Sequence, residues 1–146
     1  MSRRLQVVVA ILGVFAIAQF IRPDRANPPI DSSRTIQAHV GMGNAMVGVL
    51  DRACGDCHSN RTVWPWYTEV APVSWLMVYG VKEGRRAVNF SEWAAYPSEQ
   101  RRLLLAASCH DASVGKMPGS AWTWLHPEAR LSAQDIETIC VAARQT

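Results

Sequence analysis

Several features that mark common classes of protein are missing from this sequence. Lys and Arg together number 15 against 12 Asp and Glu, so the formal net charge is only +3. There is no basic stripe and no nucleic-acid-binding motif, and we expect no nucleic acid among the partners. No alternating pattern typical of β-strands and no internal repeat occurs, and 146 residues leave no room for a second large domain. These absences favour a single all-α domain.

Tryptophan, in contrast, is frequent, with six residues in the chain. Tryptophan fills protein cores because its ring buries a large apolar area. The same rings could also form the wall around a flat, apolar cofactor.

The N-terminus carries an apolar run. Residues 5–21 are interrupted only by Gln6 and Gln19, and arginines flank the run on both sides. A helix over these positions would be about 25 Å long, slightly less than the ~30 Å hydrocarbon core. We expect residues 1–22 to be an anchor that enters the lipid bilayer through residues 5–21. A cleaved signal peptide is the alternative, since Ala16-Ile17-Ala18 supplies the small residues that a signal peptidase requires. Either element would export the remainder.

The remainder is predicted to be an extended tether over residues 23–35 and one helical domain over residues 36–146. Pro28 and Pro29 keep the tether out of helical space. Helices are predicted over 38–53, 73–88 and 97–108, with Leu103, Leu104 and Leu105 buried on the third. A capping box from Ser132 to Asp135 begins the last helix. Residues 61–72 and 111–121 are predicted to be loops.

The segment Cys54-Gly55-Asp56-Cys57-His58 is the attachment signature for c-type haem. Two thiols at this spacing can add to the two vinyl groups of one porphyrin, and His58 is then placed to bind the iron as the proximal ligand. We therefore expect one covalent haem c at Cys54 and Cys57. This attachment takes place in exported compartments, which agrees with the N-terminal run.

Two other interpretations of the same residues remain open. Cys54 and Cys57 could form a redox dithiol, although such motifs accompany βαβ patterns that are absent here. Alternatively, Cys54, Cys57, Cys109 and His110 could bind zinc.

The second axial ligand of the iron is predicted to be Met117. Met117-Pro118 lies in a glycine-containing loop about sixty residues after His58, and a Met/His pair closes the iron to other ligands, which suits electron transfer. A simple packing role is the alternative for this methionine. His126 is an alternative distal ligand. His39 is expected to be structural, and His110 is expected to lie at the surface or cap a helix end.

Cys109 and Cys140 remain after haem attachment. Two cysteines left over in an oxidising compartment can form a disulfide with each other. Two buried free thiols are the alternative.

A longer stretch resembles the bacterial haem-binding-domain family of c-type cytochromes. The resemblance begins with Gln19-Phe20-Ile21 and Asn27-Pro28-Pro29, continues through the cysteine motif and Trp64-Pro65-Trp66-Tyr67, and includes Glu83-Gly84-Arg85, Met117-Pro118 and Leu125-His126-Pro127. It implies a cytochrome-c-like helical domain that binds one haem through Cys54, Cys57 and His58. Family members often have tyrosine at the place of Gly55 and histidine near the place of Tyr79. The second difference favours Met117 as the distal ligand.

These observations predict an electron-transfer cytochrome without a substrate of its own, at the outer face of a bacterial cytoplasmic membrane. Membrane or periplasmic redox proteins are the expected partners. The alternative is a haem sensor or a peroxidase-like enzyme with an open sixth position, in which Arg85 or His126 would lie near the ligand. A haem-bearing assembly subunit is a third interpretation, and it would require the loop from Trp64 to Tyr67 to be exposed.

Overall fold

The computed structural model describes residues 2–41 and 43–145. In this part of the chain there are eight α-helices, four 3₁₀ turns and no β-strand, which confirms the predicted all-α class. The helices are α1 (Arg3–Ala18), α2 (Ile36–His39), α3 (Asn44–Ala53), α4 (Gly55–His58), α5 (Val73–Ala87), α6 (Ser98–Ser113), α7 (Ser120–Leu125) and α8 (Ala133–Arg144). The predicted segments 1–22 and 36–146 also include Met1, Met42 and Thr146, which lie outside the described residues.

One hydrophobic core joins the helices that follow the tether. Its fully buried centre includes Ile36, Trp93, Leu105 and Ile139, each at most 2% exposed. Helices α6 and α8 pack against each other, while α4 packs against α5 and against α3. The short helix α4, which carries the cysteine motif, is therefore held between two longer helices.

The start of α8 is a complete capping box. The Ser132 hydroxyl accepts a hydrogen bond from the Asp135 amide at 3.1 Å, and the Asp135 carboxylate accepts one from the Ser132 amide at 2.8 Å. Two amide groups that a helix start leaves without partners are thereby satisfied. The sequence prediction for this element is confirmed.

Replacing Ser132 by alanine should cost about 1 kcal/mol of the free energy of unfolding, because one capping bond is lost. Urea denaturation measures this loss. Ser120→Ala is the matched control, because the Ser120 side chain makes no hydrogen bond among the described residues. Equal stability of the two variants would contradict the prediction.

The helix predicted over 38–53 is divided in two. Helix α2 ends at His39, Val40 is extended, and α3 begins at Asn44 after Gly43 as N-cap. Gly41 and Gly43 flank the break, and glycine weakens a helix interior by about 0.5–1 kcal/mol relative to alanine. The glycines therefore outweigh the apolar periodicity on which the prediction rested.

Helix α6 is longer than predicted and ends at Ser113 rather than Ser108. Nothing in Cys109-His110-Asp111-Ala112 opposes a helix, and the stop comes at Gly115, whose φ of 68° favours glycine. The amides of Gly115 and Lys116 bond the carbonyl groups of Ala112 and Asp111, which is a Schellman motif. The predicted loop 111–121 is correspondingly shorter, since α7 begins at Ser120.

Burial on α6 also differs from the prediction. Leu105 is buried and Leu104 is half-buried, but Leu103 is 57% exposed. Three consecutive positions of a helix cannot all face one side, because successive side chains are about 100° apart at 3.6 residues per turn.

The apolar N-terminal segment forms a helix that is shorter than the apolar run. Helix α1 ends at Ala18, and Gln19, Phe20 and Ile21 continue as a turn. No residue of α1 is buried. Within residues 2–41 and 43–145, no helix has the length and apolar character needed to cross a membrane.

Of the predicted tether over residues 23–35, residues 23–31 are extended and lie on the domain, whereas Ser32–Arg34 forms a 3₁₀ turn. We call residues 19–29 the brace, because hydrogen bonds fix it along its length. The Gln19 side chain exchanges two bonds with the backbone of Ala71, and the Trp75 indole donates to the Ile21 carbonyl at 2.8 Å. Further along, Asn27 donates to the carbonyl of Thr62 at 2.9 Å. The segment is therefore part of the folded unit.

Candidate functional site

A single cavity of about 290 Å³ brings the predicted site residues together. Cys54, Cys57 and His58 line it from α4 and its N-cap, and Met117 and Pro118 line it from the loop between α6 and α7. The rest of the lining is largely apolar. Its apolar members are Leu50, Ala53, Ala87, Val88, Phe90, Leu104, Ala107, Ala112, Gly119, Trp122, Leu131 and Ile139. Its other polar members are Arg52, Asp56, Ser108, Asp111 and Lys116. Residues nearly sixty positions apart in the sequence thus share one apolar space.

The imidazole of His58 is oriented by its neighbours. Its Nδ1 lies 3.2 Å from the Val88 carbonyl oxygen, to which it can donate, and this tautomer leaves Nε2 as the free lone pair. Burial lowers the pKa of His58 below the usual histidine value, although the bond to Val88 acts in the opposite direction. A neutral, oriented imidazole is the form that binds a metal ion, and such a bond to the other ring nitrogen is typical of metal-binding histidines.

The thiols of Cys54 and Cys57 take no part in a disulfide. Burial raises the pKa of Cys54 to about 12 and that of Cys57 to about 11. Reactive dithiols of the thioredoxin type have lowered pKa values instead. The environment of the two cysteines therefore argues against the redox-dithiol interpretation.

Helix α5 approaches the cysteine motif at Gly84. A Cβ atom at this position would lie 2.5 Å from the Cys57 carbonyl oxygen and 3.0 Å from its carbonyl carbon, so only glycine fits. The next residue, Arg85, donates to the Ser59 carbonyl at 2.8 Å and to the Thr62 hydroxyl at 2.9 Å. Together, Gly84 and Arg85 fix the backbone on both sides of His58.

Arg85 also links the brace to the motif, because its guanidinium donates to Asn27 Oδ1 at 2.6 Å. The side chain does not line the cavity. Its contacts are those of a structural residue, and they do not match the ligand-binding role considered from the sequence.

Met117 is positioned by the C-terminal end of α6. The amides of Lys116 and Met117 both donate to the Asp111 carbonyl, at 2.9 and 3.1 Å, and the Lys116 ammonium pairs with the Asp111 carboxylate at 3.0 Å. These bonds hold the loop as it enters the cavity wall. The Met117 side chain is 45% exposed, so it lies at the edge of the cavity.

His126 lies outside the cavity lining. Its Nε2 is hydrogen-bonded to the Tyr67 hydroxyl, and its Nδ1 lies 2.8 Å from Glu128 Oε1. With both ring nitrogens engaged, this arrangement offers none to a metal ion. The imidazole instead stacks on Trp122, with ring centroids 3.8 Å apart and planes 17° from parallel, and Trp122 forms part of the cavity wall.

The other two cysteines are joined. Cys109 on α6 and Cys140 on α8 form a disulfide with a Cα separation of 4.8 Å. Cys109 is therefore not available for the zinc site considered from the sequence, and no cluster of three or more metal-binding side chains occurs within the described ranges.

Some tryptophans take one of the two roles considered from the sequence, and others take neither. Trp93 is fully buried in the core and Trp122 lines the cavity, whereas Trp66 is 79% exposed and Trp124 is similarly exposed. The aromatic loop is not uniformly exposed, because Trp64 and Tyr67 are half-buried.

Comparison with known families gives one match. The model of the haem-binding domain matches residues 13–145, which is most of the chain. The chain belongs to the haem-binding domain family. No curated protein and no solved structure is a significant match to it.

The residues of this haem-binding domain fit the group that the family binds. Haem is a flat, largely apolar ring with iron at its centre, and the cavity offers apolar walls with an oriented imidazole. Its volume of about 290 Å³ is just below the ~300–1,000 Å³ typical of small-molecule sites. Cys54, Cys57, His58 and Met117 are the residues that would hold it.

Sequence reasoning missed several residues that line the cavity of this haem-binding domain. Val88, Phe90 and Trp122 are separated from the motif by thirty or more residues, and no short pattern marks them as neighbours. The only sequence signal for Gly84 was its place in the family resemblance, because a glycine inside a helix otherwise indicates only a weaker helix.

Proposed function

We propose that this haem-binding domain is a c-type cytochrome with one covalent haem, which carries single electrons and acts on no substrate of its own. The observation that carries the proposal is the shared cavity. Cys54, Cys57 and His58 line it from α4, and Met117 lines it from the loop after α6.

Each of these residues has a distinct task. Bound haem supplies a one-electron ferric/ferrous couple. Cys54 and Cys57 form the thioether attachments, His58 is the proximal ligand with Val88 orienting its ring, and Met117 is the distal ligand. The apolar wall excludes water from most of the site, which raises the reduction potential by disfavouring the more highly charged ferric state.

We further propose that the domain works outside the cytoplasm, in the periplasm at the cytoplasmic membrane. The disulfide between Cys109 and Cys140 supports an oxidising compartment, and the exposed apolar helix α1 supports attachment to the bilayer. Membrane or periplasmic redox proteins are then the partners that exchange electrons with it.

Replacing Met117 by alanine should convert the ferric protein from low spin to high spin, because the thioether sulfur is removed from the iron. The weak far-red absorption band of methionine-to-iron ligation should be present in the wild type and absent in the variant. The measurement is the visible spectrum of protein matured with covalent haem. Met77→Ala is the matched control, because Met77 is half-buried on α5 and does not line the cavity.

If the wild type is itself high spin, Met117 is not a ligand and the electron-carrier proposal is wrong. The second candidate, a haem sensor or peroxidase-like enzyme with an open sixth position, would then take its place. The partial exposure of Met117 favours this candidate, because a ligand at the cavity edge can be displaced. Carbon monoxide binding to the ferrous wild type would distinguish an open site from a closed one.

A further inference from the structure

The outward side of α5 carries large apolar side chains that are mostly exposed. Leu76 is 68% exposed and Tyr79 is 66% exposed. These residues are three apart and share one side of the helix with Trp75, whereas the buried residues Ser74, Val78 and Val81 occupy the other side. An exposed apolar patch of this kind marks an interaction surface.

The brace extends this surface. The Trp75 indole donates to the Ile21 carbonyl, and Phe20 and Ile21 are both largely exposed. We call Phe20, Ile21, Leu76 and Tyr79 the apolar patch.

The apolar patch is continuous with α1 along the chain. Residue 18 ends α1, and Gln19 immediately bonds to both the amide and the carbonyl of Ala71, which lies two residues before α5. The exposed apolar helix therefore leaves the domain at the patch itself, so a bilayer that takes up α1 also meets the patch.

Charge on α5 follows the same arrangement. Lys82 and Arg86 continue the side of the helix that carries Trp75 and Tyr79, and both are exposed. Arg86 also forms an ion pair with Glu83, which lies on the same side of the helix. Cationic side chains beside an apolar, aromatic surface suit the headgroup region of an anionic bilayer.

We propose that the apolar patch rests on the anionic surface of the bilayer and that the brace fixes the orientation of the domain there. This inference rests on the membrane attachment proposed above. At about 100° per residue, Gly84, which contacts Cys57, lies about 140° around α5 from Tyr79 and about 80° from Leu76. The cysteine motif therefore lies at the flank of α5, to one side of the apolar patch.

A single fluorescent probe tests this orientation in the full chain. The native cysteines are occupied by haem and by the disulfide, so Leu76→Cys provides one free thiol for an environment-sensitive NBD label. The labelled protein is mixed with vesicles of phosphatidylcholine and phosphatidylglycerol, with and without a spin-labelled lipid. Leu103→Cys on α6 is the control, because Leu103 is also exposed but lies on another helix.

We expect the protein to float with the vesicles. The emission maximum of the probe at position 76 should shift to shorter wavelength, and the spin label should quench its fluorescence. The probe at position 103 should show neither effect. Flotation with equal quenching at both positions, or none at either, overturns the inference and leaves membrane attachment standing. Failure to float overturns both.

The brace is tested in the same assay by combining Gln19→Ala with Trp75→Phe. These changes remove the bonds to Ala71 and to the Ile21 carbonyl, together with the bond from the Gln19 side chain to the Phe15 carbonyl, and they substitute no residue of α1. The variant should still float while the probe at 76 loses most of its quenching. Full quenching in this variant would overturn the role assigned to the brace.

Discussion

Replacing Gly84 by alanine should destabilise the domain more than any other single methyl group added to α5. The new Cβ would lie 2.5 Å from the Cys57 carbonyl oxygen, and both nearest atoms belong to the backbone rather than to a flexible side chain. Overpacking of this kind typically costs about 1–3 kcal/mol. The helix and the motif must move apart, so the variant should also carry less covalently attached haem.

Gly80→Ala is the matched control for this prediction. Gly80 lies one turn earlier on the same helix, and an added Cβ would meet nothing within 4 Å. Alanine there should stabilise the protein by about 0.5–1 kcal/mol, because it removes the conformational freedom of glycine from a helix interior. Urea denaturation gives both free energies of unfolding, and the pyridine haemochrome spectrum gives the attached haem. Similar effects of the two substitutions would show that the close contact at Gly84 is not a constraint.

The contrast between these two glycines shows what the sequence could reveal about the fold. In the sequence, Gly80 and Gly84 both indicate only a weaker helix. The packing of α5 on Cys57 is what distinguishes them. Local signals succeeded where the structure is local: the helix over 73–88 ends within a residue of its predicted boundary, and the capping box of α8 is as predicted. The break after His39 was not predicted, because the effect of Gly41 and Gly43 competes there with an apolar pattern that favours one continuous helix.

The candidate site, likewise, could be predicted from the sequence where a local pattern marks its residues, but not where it depends on long-range contacts. The cysteine motif and Met117 carry chemical signatures that can be recognised without a structure, and the structure places them around one cavity. The extended conformation of residues 23–31 follows from its prolines, but its docking does not, because Asn27 finds its partners 35 and 58 residues away. The engagement of His126 with Tyr67 likewise depends on a contact across 59 residues.

Removing the disulfide by Cys109→Ala with Cys140→Ala should lower the free energy of unfolding by about 3–4 kcal/mol, the value expected from chain entropy for a loop of this length. The bond closes a sequence separation of 31 residues that contains α7 and the Met117 loop. Cys109 also lies two residues before Asp111, whose carbonyl holds the amide of Met117. The double variant should therefore show a weaker methionine-to-iron band as well as lower stability.

Urea denaturation of the wild type and the double variant, each with and without a dithiol reductant, separates the bond from the side chains. With the haem iron held ferrous in every sample, the dithiol should bring the wild type close to the variant and leave the variant unchanged, because thioether bonds at Cys54 and Cys57 are not reduced by thiols. If reductant also destabilises the double variant, a second reducible bond must involve Cys54 and Cys57, and the covalent attachment of haem is wrong. If the wild type is as stable when reduced as when oxidised, the disulfide does not constrain α6 and α8, and the loop of Met117 is held by the bonds to Asp111 alone.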